Sequence, residues 1–329
     1  MYLQSFAHDL IKFEVFRSLL LSVAAYLPRK ASVLVIGNKL DFINEVFMDL
    51  PCPFTISFSP MNYSISTTEA NGARIVDVEA LRKDFDIVID FDHLICATTS
   101  IKKAFRIVND RLFLIDGRKF IDDFLGTLGA CPVNLGSCFS FRKICFVYSC
   151  LVLTDLGNGP IFEGGVYFGG NTIFVSKALS VMGSDRRIFS FDTFEGMPKP
   201  LNEDVSTSDG YYKEGHFSEA TYEITSRNLA SQGISVENLF KGRVDASFGF
   251  ASFVKDASLG ILDMDSYEGI YHGLKLLSEI GSPDFLAFID DTGIPGVSLA
   301  IDRVSREFDL QRTEVTTNVT LVRRRHLVI

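Results

Sequence analysis

Two groups of carboxylates, each placed where a short apolar run stops, constrain this chain more than any other feature. Leu259 to Leu262 runs into Asp263-Met264-Asp265-Ser266-Tyr267-Glu268, and Phe285 to Ile289 runs into Asp290-Asp291. Short apolar runs bounded by turn residues read as strands buried on both faces of a parallel sheet. Open α/β sheets bind ligands just beyond the carboxyl ends of such strands. Carboxylates gathered there repel one another unless a cation or a bound proton offsets them. One Asp after a strand commonly caps the next helix. Asp263, Asp290 and Asp291 together favour a hard divalent cation, Mg²⁺, Ca²⁺ or Mn²⁺, over three separate caps.

The chain has 329 residues, enough for two domains, and its 47% hydrophobic content supports substantial cores. A formal charge of −9 argues against a nucleic-acid partner, since such binding rests on basic surface. Arg323-Arg324-Arg325 reads as a solvated strand end. No segment approaches ~20 uninterrupted apolar residues, so neither a transmembrane helix nor a membrane partner is expected. Asp9, Lys12, Glu14 and Arg17 interrupt the apolar N-terminus, and no cleavage signal follows it. The six cysteines, at 52, 96, 131, 138, 145 and 150, form no CxxC pair and lack a His at zinc spacing. Free thiols in a reducing cytoplasm are the expectation.

The pattern along the chain predicts an α/β protein with two Rossmann-like domains, residues 1–150 and 151–329. Residues 1–28 read as a helix, whose apolar residues offer a surface for pairing subunits into a homo-oligomer. Strands follow at 32–36, 54–58, 86–91 and 111–115, with helices at 41–50 and 100–108 between them. The first turn, Gly37-Asn38-Lys39-Leu40, is glycine-poor for a nucleotide loop, so this domain reads as structural or regulatory, or as a degenerate copy of the next. The apolar stretch 144–153 has no clear assignment. Beyond it come strands at 160–162, 187–191, 239–242, 259–262 and 285–289. Helices are expected at 172–182, 220–233, 246–255, 267–280 and 297–308. Antiparallel strands at 309–314 and 316–323 close the chain. The polar stretch 195–215 is too long for a mere connection.

Glu163-Gly164-Gly165-Val166-Tyr167-Phe168-Gly169-Gly170 follows a strand and opens a helix. Gly165 and Gly169, with Gly170 beside it, let backbone pass close to a ligand, and the helix N-terminus offers N–H groups to an anion. That anion is a pyrophosphate or the carboxylate of an amino-acid-like cofactor. Glu163 favours the second, because it repels a pyrophosphate and pairs with an ammonium. Asp192 ends the next strand, placed to accept ribose hydroxyls. Zwitterion plus ribose describes S-adenosylmethionine. Asp245 stands where it reaches the adenine or caps a helix.

With these residues in view, positions from about 158 onward resemble the macrocin-type O-methyltransferases, metal-dependent class I S-adenosylmethionine enzymes. The matching stretches are Phe162 to Gly170, Phe191 to Pro198, Leu262 to Glu268 and Ile289 to Asp291. The resemblance implies a mostly parallel class I methyltransferase sheet, and a metal held by Asp263, Asp290 and Asp291. It also implies methylation of hydroxyls on antibiotic sugars and related glycans. Two positions depart from the family pattern: Phe168 stands where an Arg is usual, and Thr292 where a Tyr often follows the paired Asp.

In the implied reaction the cation, Mg²⁺ or another divalent ion, lowers the pKa of an acceptor hydroxyl, which then attacks the sulfonium methyl. Asp263 is thereby catalytic as well as a ligand. His216, on the long polar loop, is the candidate general base; its alternative is a surface histidine. His272 reads as a packing or solvent-facing residue. Asp265 and Glu268 read as groups that orient the ligands, or Glu268 favours its helix N-terminus. Two other readings stand beside the enzyme: a non-catalytic cofactor- and metal-binding module, and a nicotinamide-dependent oxidoreductase, for which the glycine loop is poorly shaped.

Overall fold

A computed structural model describes residues 2–26, 32–36, 55–59, 67–70, 73–76, 87–90, 105–108, 112–132, 136–137, 139–155, 158–204, 212–244 and 254–325. The chain divides into two compact units, residues 1–126 with 328–329, and residues 127–327. The first contains helix α1 (Tyr2–Tyr26) and strands β1 (Ser32–Ile36), β2 (Thr55–Ser59), β3 (Thr67–Ala70), β4 (Ala73–Val76), β5 (Ile87–Asp90), β6 (Phe105–Val108) and β7 (Leu112–Asp116). Five of these form a sheet in the order β2-β1-β5-β7-β6, and β3 and β4 form a separate hairpin. All neighbours in the larger sheet are parallel except β6, which runs antiparallel to β7.

Strand β6 corrects one expectation. The described part of the helix expected at 100–108 is extended instead, because Phe105 to Val108 lies three residues before β7 and pairs back along it. The expected helix at 41–50 and the turn at Gly37-Asn38 lie outside the described residues. Helix α2 (Gly117–Ala130) runs across the division.

The second unit contains α3 (Phe141–Thr154), β8 (Ile161–Gly164), α4 (Gly170–Met182), β9 (Ile188–Asp192), α5 (Tyr222–Ser231), β10 (Leu239–Lys241), β11 (Leu259–Leu262), α6 (Tyr267–Ile280), β12 (Leu286–Asp290), α7 (Pro295–Glu307), β13 (Leu310–Thr316) and β14 (Val319–Arg324). The division falls ahead of residue 150 because the unassigned apolar stretch is helix α3, which packs on β11 and β12 of this unit. Ser140 caps it, its hydroxyl accepting the Lys143 N–H. The helix expected at 246–255 falls mostly outside the described residues, and 254–256 is not helical.

The sheet has the order β10-β9-β8-β11-β12-β14-β13, with the first five strands parallel and β14 antiparallel to both its neighbours. Building runs outward from β8 to β10, then β11 returns to the other side of β8. That reversal opens a crevice at the strand carboxyl ends. Strand alternation assigns the layers. Ala287 and Ile289 join Ile270, Leu274 and Leu277 of α6 and Val297, Ala300, Ile301 and Val304 of α7 in one core. Phe288 faces the opposite layer, 5.5 Å from the Phe139 ring. Gly260 is small because the Leu277 side chain fills the space a Cβ would need, which lets α6 lie close on the sheet.

Phenylalanine, 30 residues of the chain, contributes to these cores. Phe162, Phe189, Phe191, Phe285 and Phe288 are fully buried, and Phe191 stacks on Phe240 with centroids 5.0 Å apart. Such pairs add about 0.5–1.5 kcal/mol to the burial of each ring. Among the described residues, no helix is long and apolar enough to cross a membrane.

Candidate functional site

The crevice holds a cavity of about 210 Å³ within the second unit. One rim is the turn from β8 into α4. Gly165 lies there at φ +86°, and the Asp263 carbonyl occupies the place of any Cβ, so the position admits glycine alone. Asp192, at the end of β9, holds this turn in shape. Its Oδ2 accepts the Val166 N–H at 2.8 Å and the Tyr167 N–H at 3.1 Å, and its Oδ1 accepts the Phe194 N–H at 2.8 Å. Gly165, Asn171 and Asp192 line the cavity.

Three expected cofactor residues do not line it. Strand β8 continues to Gly164, so Glu163 is a strand residue whose side chain alternates into the layer beneath α4. There Oε2 accepts the hydroxyls of Thr172 and Ser190, each at 2.6 Å. Burial pushes this carboxyl up to about 7, Asp192 adds to the rise, and the two hydroxyls oppose it. Gly169 is the αL residue ahead of α4 and packs on Leu229, with Gly170 buried as the first residue of the helix. Asp245 lies outside the described residues.

The opposite rim gathers the carboxylates. Asp263, Asp265 and Asp291 bring oxygens within 4.8 Å of one another. Asp290 is buried beside that group, and Lys143 from α3 reaches it. Lys143 Nζ lies 2.7 Å from Asp290 Oδ2 and 3.0 Å from Asp291 Oδ1, and Asp290 Oδ1 accepts the Asp291 N–H at 2.8 Å. Of the expected trio Asp263, Asp290 and Asp291, Asp290 lies against Lys143, and Asp265 joins Asp263 and Asp291 in the close group.

Burial, and then the neighbouring carboxylates, hold Asp263 well above the usual range and Asp265 at about 7. Asp290 is raised to about 6 by burial and Asp291, with Lys143 opposing. Lys143 is held at about 12: burial lowers it, but the hydrogen bonds and charges of Asp290 and Asp291 outweigh burial. Asp265 Oδ1 is buried without a hydrogen-bond partner. Asp265 and Asp291 also take left-handed backbone, at φ 51° and 48°. Uncompensated charge, hard oxygen donors and an orphaned oxygen fit a divalent cation.

His216 does not line the cavity. Its carbonyl accepts the Met197 N–H at 2.7 Å, while the Met197 carbonyl accepts the Gly215 N–H at 2.9 Å, a clasp closing the neck of the long loop. The histidine on the cavity wall is His272, one turn beyond Glu268 on α6. The loop is tied down again at Asp204, in a short 3₁₀ turn (Asn202–Asp204). Its Oδ1 accepts the Tyr267 N–H at 2.6 Å, at the start of α6, and its Oδ2 accepts Leu201 N–H and Tyr212 O–H, each at 3.0 Å.

The sequence profile of the macrocin-O-methyltransferase (TylF) family matches residues 149–322, more than half of the chain. The chain belongs to this family. It is an S-adenosylmethionine-dependent O-methyltransferase, and the matched residues run from within α3 to β14, all inside the second unit. No curated protein matches it in sequence. Similar solved structures include the O-methyltransferase NovP, at 21% identity over 59% of this chain and 84% of that one, with a TM-score of 0.43. The calicheamicin methyltransferase CalS11 is 17% identical over 67% and 95%, with a TM-score of 0.39. The SAH-bound Podospora anserina methyltransferase PaMTH1 is 12% identical over 63% and 88%, with a TM-score of 0.40.

Lys143, the membership of Asp265 in the close carboxylate group, the place of His272 on the cavity wall, and Asp204 escaped sequence reasoning. Glu268 and His272 stand four residues apart and share a helix face, a signal that was available. Asp265 lies inside the Asp263-Met264-Asp265 motif. Nothing in the sequence links Lys143 to Asp290.

Proposed function

We propose that this methyltransferase moves the methyl group of S-adenosylmethionine to a hydroxyl of a sugar, glycoside or other polyhydroxylated small molecule, assisted by a divalent cation. The observation that carries the proposal is the group formed by Asp263, Asp265 and Asp291, with oxygens within 4.8 Å of one another. When bound there, the cation supplies a Lewis acid that holds acceptor hydroxyls and lowers their pKa. S-adenosylmethionine brings the electrophilic methyl.

The protein's own groups do the rest. Asp263, Asp265 and Asp291 would hold the cation, with Asp290, which accepts the Asp291 backbone N–H, beside them. Asp265, which burial and the neighbouring carboxylates hold at about 7, would take the proton leaving the acceptor hydroxyl. Gly165, Asn171 and Asp192 form the donor side, with Asn171 fixed by a 2.8 Å bond from Ser137 Oγ to its Oδ1. Met197, Pro198 and Phe217 give that side an apolar cover, which excludes water from the transfer.

Radiolabelled S-adenosylmethionine incubated with a panel of glycosides tests the reading. It expects label in the glycoside with Mg²⁺ present and none with a chelator. No transfer to any hydroxylated acceptor under either condition would overturn it.

A further inference from the structure

We infer that Ser137 is a positioning residue for the methyl donor: its hydroxyl turns the Asn171 amide so that Nδ2 receives the carboxylate at the amino-acid end of S-adenosylmethionine. The inference rests on the donor-side reading of Asn171 and is independent of the cation. Three observations carry it. Ser137 and Asn171 both line the cavity, and Asn171 is only 8% exposed. Ser137 Oγ donates to Asn171 Oδ1 at 2.8 Å and accepts the Phe139 N–H at 3.0 Å, so its one proton is committed to the amide oxygen. With Oδ1 engaged, the Nδ2 hydrogens are what this side chain presents to a ligand. Asn171 is also the second residue of α4, where backbone N–H groups and the helix dipole favour an anion.

Local structure fixes the serine there, from outside the family-matched residues 149–322. Gly136 precedes it at φ +62°, and a Cβ at that position would stand 3.1 Å from Phe168 Cβ, so the backbone lies directly on the turn that leads into α4. Glycine meets both demands, the left-handed backbone and the close approach. Phe139 follows, its ring 5.5 Å from that of Phe288 in β12. Ser137 is thus held between two packed contacts. A carboxylate that meets the oriented amide gains a charge-assisted hydrogen bond, whereas an amide free to turn its oxygen inward repels it.

The test is calorimetric titration of two probes into the full chain, in chelator and without an acceptor. One is S-adenosylhomocysteine; the other is 5′-methylthioadenosine, which lacks the amino-acid end. Ser137→Ala is expected to weaken S-adenosylhomocysteine binding about fivefold and to change 5′-methylthioadenosine binding by less than about twofold. In an Asn171→Ala background the same substitution is expected to cost less than about twofold, because the amide it orients is gone. Unchanged S-adenosylhomocysteine affinity, equal weakening of both probes, or full additivity with Asn171→Ala overturns the role of Ser137 and leaves the donor site standing. S-adenosylhomocysteine that fails to bind wild type overturns the donor-side reading and this inference with it.

Discussion

At one rim of the cavity a single carboxylate, Asp192, accepts three backbone N–H groups and fixes the turn between β8 and α4. At the other rim four carboxylates sit together with Lys143, and Asp265 keeps a buried oxygen without a partner. Both rims stand at strand carboxyl ends of one sheet, and both use aspartate. The first is satisfied by the protein itself, so its shape does not wait for a ligand. The second gathers carboxylates that burial and mutual repulsion hold above the usual range, with Lys143 opposing the rise. On the proposed reading, a divalent cation would bind on this second side.

Substitutions that strike one rim and spare the other test this contrast. Asp263→Asn is expected to have the largest effect, a fall of roughly a thousandfold in kcat/KM, from loss of charge that binds the cation. S-adenosylmethionine affinity, measured by calorimetry on the same variant, is expected to change by less than about threefold. Equal loss of both would erase the distinction between the rims.

Asp192→Ala strikes the other side. Three backbone N–H groups lose a charged acceptor, and stability is expected to fall by about 3 kcal/mol in chemical denaturation, with weaker donor binding. Mn²⁺ affinity should hold nearly constant, and its collapse would show that the rims are not independent.

Glu163, beneath the donor rim, gives a pH signature. Its carboxyl sits at about 7 when folded against an ordinary value of 4.5. The folded state therefore binds the proton more tightly, and that stabilisation is complete below pH about 4.5 and is lost as pH rises through about 7. Glu163→Gln should remove this dependence. Wild type is then expected to lose about 2 kcal/mol relative to the variant between pH 5 and pH 8, allowing for relaxation of the buried site. Parallel melting curves for the two proteins across that range would contradict the assignment.

Asp204→Asn has the smallest expected effect, about 1 kcal/mol of stability, because it weakens acceptors for Tyr267, Leu201 and Tyr212 without emptying the space. Since Tyr267 follows the carboxylate turn directly, kcat is expected to fall more than KM rises. A change confined to unfolding temperature would make Asp204 purely structural.

Much of the second unit was legible in the sequence because its strands are short buried apolar runs and its helices keep apolar spacing. The helix Tyr267–Ile280 and the strand Leu259–Leu262 were read to the residue. Residues that act through strand alternation or from a distant helix were not. Glu163 looked like a loop acid because β8 outlasts its apolar run by two residues. The sequence does not show that the His216 carbonyl accepts the Met197 N–H or that His216 stays off the cavity lining. Lys143 carries no motif, and only the packing of α3 on β12 brings it to Asp290. In the first unit β6 was misread as helix because its pairing with β7 is a tertiary fact.

Calorimetric titration of S-adenosylmethionine into the full chain, first with Mg²⁺ and then with a chelator, tests the central claim most directly. A donor rim satisfied by Asp192 alone predicts saturable binding in both conditions, with affinities within about threefold of each other. Absence of binding in both, or binding that requires Mg²⁺, would contradict the account.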